Sequence, residues 1–511
     1  MQDALQQLPA DLREVFSKLV NDHERVQAEN KILREELRLL RIEKYGPRSE
    51  KLSDAQLDLL EREPSVVQAE IEQEANQPAD PAPVATKAKS KHPGRVELPA
   101  HLERREVKIA CRPEECVCPH CQQEKAIIGY ERSEELDVIP AYYFVRVTLR
   151  EKRACPRHPE AGVACAPVAS RILPKGKLSD AVIVDALVKK YGDFLPAYRQ
   201  STILKRDANI DLSRKTLVSV ILKAGELLQN LMPALRADLF SGKYIQADET
   251  PVPCQSPEVV GRNHQAYLWE FSRPAGPVVF EFQMSRGREG PKQFLRGFTG
   301  ILQSDGYAAY DKLGEGIEYA ACMTHARREF QKAHQLQKLD PRPLEILERI
   351  GELYAVEAQA REQRLGPAAR LALRQQQSSR IFDELGQRII ALRKEADVLP
   401  ASQLGKACDY ALGLWHRLGV FLRDGQVELD NNWCENAIRP LAVGRKNWMH
   451  IGSEQAGPLI AAIASIFETC RRLGINPREY LLDVLPRIAG WPARRIAELA
   501  PVAWKAARTA A

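Results

Sequence analysis

The sequence predicts a multidomain protein in which helical segments flank an α/β core. Three observations lead to this fold class. A chain of 511 residues is too long for one ordinary hydrophobic core, so we expect two to four domains. Apolar runs typical of strands lie between residues 243 and 310, with one helical stretch among them. The segments on either side, 178–232 and 327–425, have helical patterns rich in Leu, Arg, Glu and Gln.

Composition narrows the class of protein. Hydrophobic residues make up 44% and charged residues 28%, which is typical of globular domains with charged helices. The net charge of +6 permits a nucleic-acid partner without requiring one. We find no apolar run of about 18 residues, no secretion signal and no phosphate-binding GxxxxGK[ST] string. The 11 cysteines are too few for a disulfide scaffold of this length, so we expect a cytoplasmic protein. Because the phosphate-binding string is missing, we expect that the protein uses no ATP.

The N-terminal segment, residues 1–62, has a seven-residue repeat. Apolar residues occupy one position of each repeat, namely Leu12, Leu19, Val26, Leu33 and Leu40. Such a repeat, with Asn30 at the companion position, favours a parallel two-stranded coiled coil. The alternative is an amphipathic helix packed on its own chain. Residues 63–97 then lose the repeat and are rich in Ala, Pro and Gln, which predicts a flexible linker.

Residues 98–168 contain a cluster of cysteine and histidine. Cys118 and Cys121 form one short knuckle, and Cys155 and His158 form a second. Four such ligands close a tetrahedron around zinc and leave no position for substrate, so the site would be structural. Other candidates for the fourth ligand are Cys111, Cys116, His120 and Cys165, and free buried thiols are the alternative. The alternating residues 133–154 predict a hairpin between the knuckles.

Residues 169–240 include a predicted helix-turn-helix. Asn209 and Asp211 interrupt the helical pattern, and Ser213 is a suitable N-cap for the second helix. Arg214 and Lys215 then lie in its first turn, the part of a recognition helix that meets the DNA major groove. An ordinary helical hairpin would give the same pattern.

Three carboxylates have an unusual local context. Asp248 and Asp305 each follow an apolar run typical of a strand, and Glu435 lies near the start of a predicted helix. Carboxylates are ligands for magnesium, and pairs of divalent ions promote phosphodiester chemistry. Context alone does not select these three among 68 acidic residues. Glu249 and Asp430 are close competitors.

Several strings, in this order, resemble the transposase family of insertion sequence 66. They are KYGPRSEKL, CPHC, PAYRQSTILKR, IQADETPVP, LQSDGYAAYDKL, MTHARREF and LDNNWCENAIRPLAVGRKNW. The last string is the most specific, and the match spans nearly the whole chain. The resemblance implies an RNase H-like α/β catalytic core with Asp248, Asp305 and Glu435 as its metal-binding DDE triad. It also implies a long helical insertion before Glu435.

The resemblance further implies a bacterial, nucleoid-associated enzyme that cuts and rejoins DNA. Its cofactors would be two Mg²⁺ (or Mn²⁺) in the triad and one structural Zn²⁺. Its partners would be terminal inverted repeats and target DNA, a second or further copy of the chain, and accessory proteins of the same element, with no membrane. One alternative is a DNA-binding accessory or regulatory protein without catalysis. Another is a general RNase H-like nuclease that does not join ends.

Basic residues near the triad are candidates for holding DNA. Arg439 follows Glu435 by one helical turn, so both side chains face the same way. The other candidates are Arg445, Lys446, Arg327 and Arg328. Charge pairing with Glu435 or Glu454 is the alternative for these cations, and we expect His325 simply to pack.

The resulting domain plan divides the catalytic core into two parts. Residues 241–330 form the first part, and residues 428–457 form the last part with Glu435. Residues 331–427 form the helical insertion, and 458–511 form a helical C-terminal region.

Overall fold

A computed structural model describes residues 123, 142–154, 163–174, 176–257 and 261–509. The predicted coiled coil 1–62 and linker 63–97 lie outside these residues, as do all four predicted zinc ligands. The described residues divide into two compact units, one within residues 75–166 and one within residues 167–511. Within the described part, no helix is long and apolar enough to cross a membrane.

In the smaller unit, strand β1 (Lys152–Ala154) pairs antiparallel with β2 (Val163–Cys165). The Arg150 guanidinium donates to the Ala166 carbonyl at 3.0 Å and extends this pairing. The prediction of a hairpin within residues 133–154 is therefore wrong in part. Residues 142–151 form no strand, and β1 takes its partner from beyond the second knuckle.

In the described part of the chain, four helices precede the sheet: α1 (Asp180–Tyr191), α2 (Ala197–Ala208), α3 (Arg214–Gln229) and α4 (Met232–Ser241). Asn209 ends α2 in the left-handed conformation, with φ of 52°. Ser213 then caps α3, because its hydroxyl accepts the Thr216 N–H at 3.1 Å. The helical pair predicted from these two residues is confirmed as α2 and α3.

The central sheet has five strands in the order β5-β4-β3-β6-β7. They are β3 (Tyr244–Cys254), β4 (His264–Ser272), β5 (Val278–Gln283), β6 (Gly300–Ser304) and β7 (Ile317–Ala321). Strands β3, β4 and β5 are antiparallel neighbours, whereas β6 is parallel to both β3 and β7. The helical stretch predicted before β6 is α5 (Glu289–Phe294). Strand β7 was not predicted.

Beyond the sheet, the described chain is helical. One group of helices follows β7: α6 (Met323–Leu336), α7 (Pro341–Glu362), α8 (Pro367–Leu373), α9 (Ser379–Arg393), α10 (Gln403–Gly413) and α11 (Trp415–Leu418). A π-helical turn, Arg374–Ser378, joins α8 to α9. This group forms a second hydrophobic core, which also includes Tyr244 and Ile301 of the sheet. The last helices are α12 (Asn432–Trp448), α13 (Ala456–Arg472), α14 (Pro477–Ile488) and α15 (Pro501–Thr509).

Helix α13 covers the edge of the sheet at β5. The Ser465 hydroxyl accepts the Phe280 N–H at 2.8 Å, and the Thr469 hydroxyl accepts the Val278 N–H at 3.0 Å. Backbone groups of an edge strand that would otherwise lack partners are thus satisfied. Gly457 permits the close approach, because a Cβ there would lie 2.2 Å from the Phe282 ring.

Candidate active site

Asp248 and Asp305 lie at equivalent positions on neighbouring parallel strands. The register of β3 and β6 pairs Ile245 with Leu302 and Gln246 with Gln303. Asp248 and Asp305 each lie two residues beyond the last pair, which is Gln246 with Gln303. The pairing therefore brings together two carboxylates that are far apart in sequence.

Glu435 reaches the same place from the first turn of α12. Buried side chains of β3 and β6 hold the loop in front of this helix. Gln246 donates to the Asp430 carbonyl at 2.7 Å, and Gln303 donates to the Glu428 carbonyl at 2.9 Å. The start of α12 is thus fixed to the two strands that carry the aspartates. Sequence reasoning missed these glutamines, although each stands two residues before a candidate acid.

Asp248 lies within electrostatic range of the two other candidate acids. Burial raises the pKa of Asp248 well above its usual range, and the charges of Glu435, Glu249 and Asp305 raise this pKa further. The Asp248 carboxylate accepts the Glu249 N–H at 2.8 Å, which opposes the shift. Asp305 accepts the Tyr307 N–H at 2.8 Å. Mutual repulsion of this kind is relieved when a cation binds between the carboxylates.

The two competing acids have other partners. Glu249 receives the Tyr310 hydroxyl at 2.7 Å and lies 2.6 Å from the Arg286 guanidinium. Asp430 is buried and accepts the Asn432 N–H at 3.1 Å, and burial raises its pKa to about 6. Both carboxylates are thus engaged within the protein, and the geometry favours Asp248 and Glu435 over them as ligands.

Glu435 has an incomplete set of partners. The Arg328 guanidinium lies 3.0 Å from its Oε2 atom, and His325 Nδ1 lies 3.8 Å from its Oε1 atom. Oε1 and Nδ1 are both buried, and neither has a hydrogen-bond partner in the described part of the chain. His325 therefore does more than pack, because it faces a candidate catalytic acid. Desolvation lowers the pKa of His325.

Some of the remaining residues predicted to contact DNA are exposed, and others are buried or hydrogen-bonded within the protein. Arg439 and Lys446 on α12 are exposed, as are Arg214 and Lys215 at the start of α3. Arg445 is half-buried and donates to the Thr250 hydroxyl at 3.1 Å. Arg327 is only 7% exposed, and its assignment as a DNA contact stays a prediction. Its helical position turns the side chain inward, whereas Arg328 faces Glu435.

The donor set suits a hard divalent cation. The charges of Glu435 and Asp305 both act on Asp248, and Glu435 has a buried oxygen without a hydrogen-bond partner among the described residues. Magnesium and manganese take such oxygen ligands. Residues Asp248, Asp305 and Glu435 are those that would hold the ions.

Comparison with known proteins shows which family the chain belongs to. The family described as "Transposase IS66 family" matches residues 175–458, which include all three acids. The chain belongs to the IS66 transposase family. Further matches are "Transposase C of IS166 homeodomain" at 32–107, "zinc-finger binding domain of transposase IS66" at 115–157 and "IS66 C-terminal element" at 465–502. The expected family resemblance is confirmed, and with it a zinc-binding domain and DNA as a partner.

Relatives from Sinorhizobium fredii have similar length. The uncharacterized protein y4qI is 33% identical over 488 residues, covering 91% of this chain and 87% of the relative. The uncharacterized protein y4hP is 32% identical over 449 residues, covering 82% and 78%. The uncharacterized protein y4jD is 33% identical over 429 residues, covering 80% and 82%.

Proposed function

We propose that this IS66-family chain is a DDE transposase that cuts and joins DNA at the ends of an insertion sequence. Its sheet and α12 would form an RNase H-like core in which Asp248, Asp305 and Glu435 hold two Mg²⁺ or Mn²⁺ ions. The observation that carries the proposal is the matched position of Asp248 and Asp305 on parallel strands, with Glu435 held to those strands.

The chain's own residues would prepare the site for phosphodiester chemistry. Bound divalent ions supply activation of the attacking oxygen and stabilisation of the leaving oxygen. Gln246 and Gln303 fix the start of α12, so that Glu435 keeps its place relative to the aspartates. Arg328, beside Glu435, and the exposed Arg439 are placed to hold a phosphate with charge-assisted hydrogen bonds. Water would cut the element end, and the freed 3′-hydroxyl would attack target DNA.

Other regions would bind and arrange the DNA. The homeodomain-named match at 32–107 overlaps the predicted coiled coil and linker, and supports a role for the N-terminal region in assembly or DNA binding. The zinc-finger match at 115–157 contains Cys118, Cys121 and Cys155 and ends one residue before His158, so the fourth ligand stays a prediction. Arg214 and Lys215 would contact the repeats, and a homodimer or higher assembly would pair the two ends.

The test uses a radiolabelled element end with Mg²⁺ or Mn²⁺. Asp305→Asn should reduce strand cleavage and joining by several orders of magnitude, because a ligand of the reacting ions is lost. Glu318→Gln is a suitable control, since this exposed acid on β7 lies in the same sheet and pairs only with Arg423 among its described ion pairs. An Asp305→Asn protein that cuts and joins like its parent would overturn the proposal. A parent that binds ends without cutting them would instead favour the accessory DNA-binding role.

A further inference from the structure

The metal site proposed above has a nitrogen donor beside it. We propose that His325 shares with Glu435 the ion bound on the α12 side, and that Arg328 and this ion compete for the same two residues. The inference rests on the proposed function, since it deepens the description of the same site. It predicts a mixed nitrogen and oxygen ligand set in place of one built from carboxylates alone.

The first step is the pair of buried atoms without partners. His325 Nδ1 and Glu435 Oε1 lie 3.8 Å apart, and neither has a hydrogen-bond partner among the described residues. A buried polar atom left unpaired is costly, so two of them facing one another indicate a missing ligand. Bonds from a metal to imidazole nitrogen and carboxylate oxygen are each about 2 Å, so one ion can bridge this pair.

Cys322 gives the pair its fixed position. Its Sγ atom lies within 4.8 Å of the ligand atoms of His325 and Glu435. The thiol is fully buried and accepts the Asn431 N–H at 3.4 Å, so it joins the start of α6 to the loop before α12. We assign Cys322 as the tether that keeps His325 opposite Glu435, and not as a ligand.

Arg328 contacts both members of the pair. One guanidinium nitrogen lies 3.0 Å from Glu435 Oε2, and the other lies 3.4 Å from His325 Nε2. A guanidinium only donates hydrogen bonds, so Nε2 accepts and the ring proton of a neutral imidazole lies on Nδ1. An ion at Nδ1 requires that this proton move to Nε2, where it would face the guanidinium. Metal binding and the present position of Arg328 therefore exclude one another.

The competition has a chemical consequence. Sites with nitrogen and oxygen donors bind first-row transition-metal ions, of which Mn²⁺ is the weakest binder, whereas Mg²⁺ takes mainly oxygen ligands. We therefore expect this ion position to prefer Mn²⁺ over Mg²⁺. Arg328, once displaced, becomes available to a DNA phosphate, so that metal binding and DNA binding favour each other.

The experiment is a Mn²⁺ titration of the full-length, zinc-loaded protein without DNA, in which free Mn²⁺ is measured by electron paramagnetic resonance. His325→Asn should weaken Mn²⁺ binding by roughly tenfold or more. Arg328→Gln should strengthen it, because the competing cation is gone. The control is His334→Asn, which changes the other histidine of α6, a residue in no metal-ligand group among the described residues. Competition with Mg²⁺ should show a smaller loss for His325→Asn than is seen with Mn²⁺.

The outcomes separate this inference from the proposed function. If His325→Asn and His334→Asn bind Mn²⁺ equally well while Glu435→Gln loses it, the histidine ligand is refuted and the acid site stands. If Arg328→Gln binds Mn²⁺ more weakly than the parent, the competition is refuted. If Glu435→Gln and Asp248→Asn both keep parental Mn²⁺ affinity, the proposed catalytic metal site itself fails. Opposite signs for His325→Asn and Arg328→Gln also exclude simple misfolding as the cause.

Discussion

The helical insertion and the acid site both bury charge, but they treat it differently. In the insertion, Glu357 is 1% exposed and lies 2.7 Å from Arg370 and 2.6 Å from Arg374. Arg374 is fully buried and also donates to the Phe421 and Asp424 carbonyls at 2.9 and 3.1 Å. In the acid site, by contrast, the charges of Glu435 and Asp305 oppose that of Asp248.

The difference separates charges that stabilise the fold from charges that await a ligand. Buried ions with full sets of hydrogen bonds fix one packing arrangement, and losing one partner leaves the other uncompensated. Buried acids that repel each other lower stability until a cation arrives. The π-helical turn serves the first purpose, because it begins at Arg374 and directs this side chain into the insertion. Three predictions test the contrast, and a fourth concerns exposed cations outside both regions.

The largest effect on stability is expected at Glu357. Glu357→Gln removes the carboxylate shared by two guanidinium groups and should lower the free energy of unfolding by about 3–5 kcal/mol, as for other broken buried pairs. Urea denaturation measures this change. Arg380→Gln is the control, because Arg380 is highly exposed where it pairs with Glu384. Equal stability of the two variants would show that the buried network contributes no more than a surface pair.

The next effect is expected at Gly306, where the two regions meet. Gly306 follows Asp305 with φ of +88°, and a Cβ would lie 2.6 Å from Leu414 of the insertion. Gly306→Ala should cost about 1–2 kcal/mol from the backbone conformation alone, with a further loss from crowding. It should also reduce cleavage, because Asp305 moves. Gly351→Ala on α7 has open space and should be neutral or slightly stabilising. Matching melting temperatures for the two variants would contradict this account.

A smaller effect of opposite sign is expected at Asp248. Its raised pKa means that the folded, metal-free protein loses stability as pH rises from the usual aspartate range through the raised value. Asp248→Asn should therefore melt a few degrees higher than the parent at pH 7.5 in EDTA, with the difference vanishing near pH 4. Manganese should raise the melting temperature of the parent only. A lower melting temperature for Asp248→Asn in EDTA would remove the contrast with the insertion.

The smallest effect concerns exposed cations that belong to neither region. Arg214→Gln and Lys215→Gln should each reduce the slope of log affinity against log salt concentration by about 1, if each contacts one phosphate. Fluorescence anisotropy with element-end DNA measures the slope. Arg495→Gln, which changes an exposed arginine paired with Glu498, should leave it unchanged. Parental slopes for the Arg214 and Lys215 variants would remove α3 from the DNA interface.

Much of the fold could be predicted because local patterns determine it. Strands β3 to β6 have long apolar runs, and the Ser213 cap marks the start of α3. Strand β7 was not predicted, because this five-residue strand, IEYAA, buries only its last two residues and so has no long apolar run. The RNase H-like assignment and the coiled coil stay predictions.

The sequence suggested the acids of the candidate site but not the residues that contact them. Family resemblance selected Asp248, Asp305 and Glu435, since context alone left Glu249 and Asp430 open. Nothing local shows that Arg328 faces Glu435 while Arg327 turns inward, because that depends on how α6 packs against distant residues. The pairing of Glu357 with Arg374 could not be predicted either, because the sequence has 74 basic residues and no local pattern selects Arg374.

The residues that flank the helical insertion lie next to each other beside the sheet. The Met323 N–H donates to the Leu429 carbonyl at 3.0 Å, so the two ends of this long excursion touch. Once its ends are joined, the entropy of a loop changes only slowly with its length. Relatives can therefore gain or lose whole helices between α6 and α12 while the acids keep their spacing. Evolution can thus remodel this part of the protein without rebuilding the candidate active site.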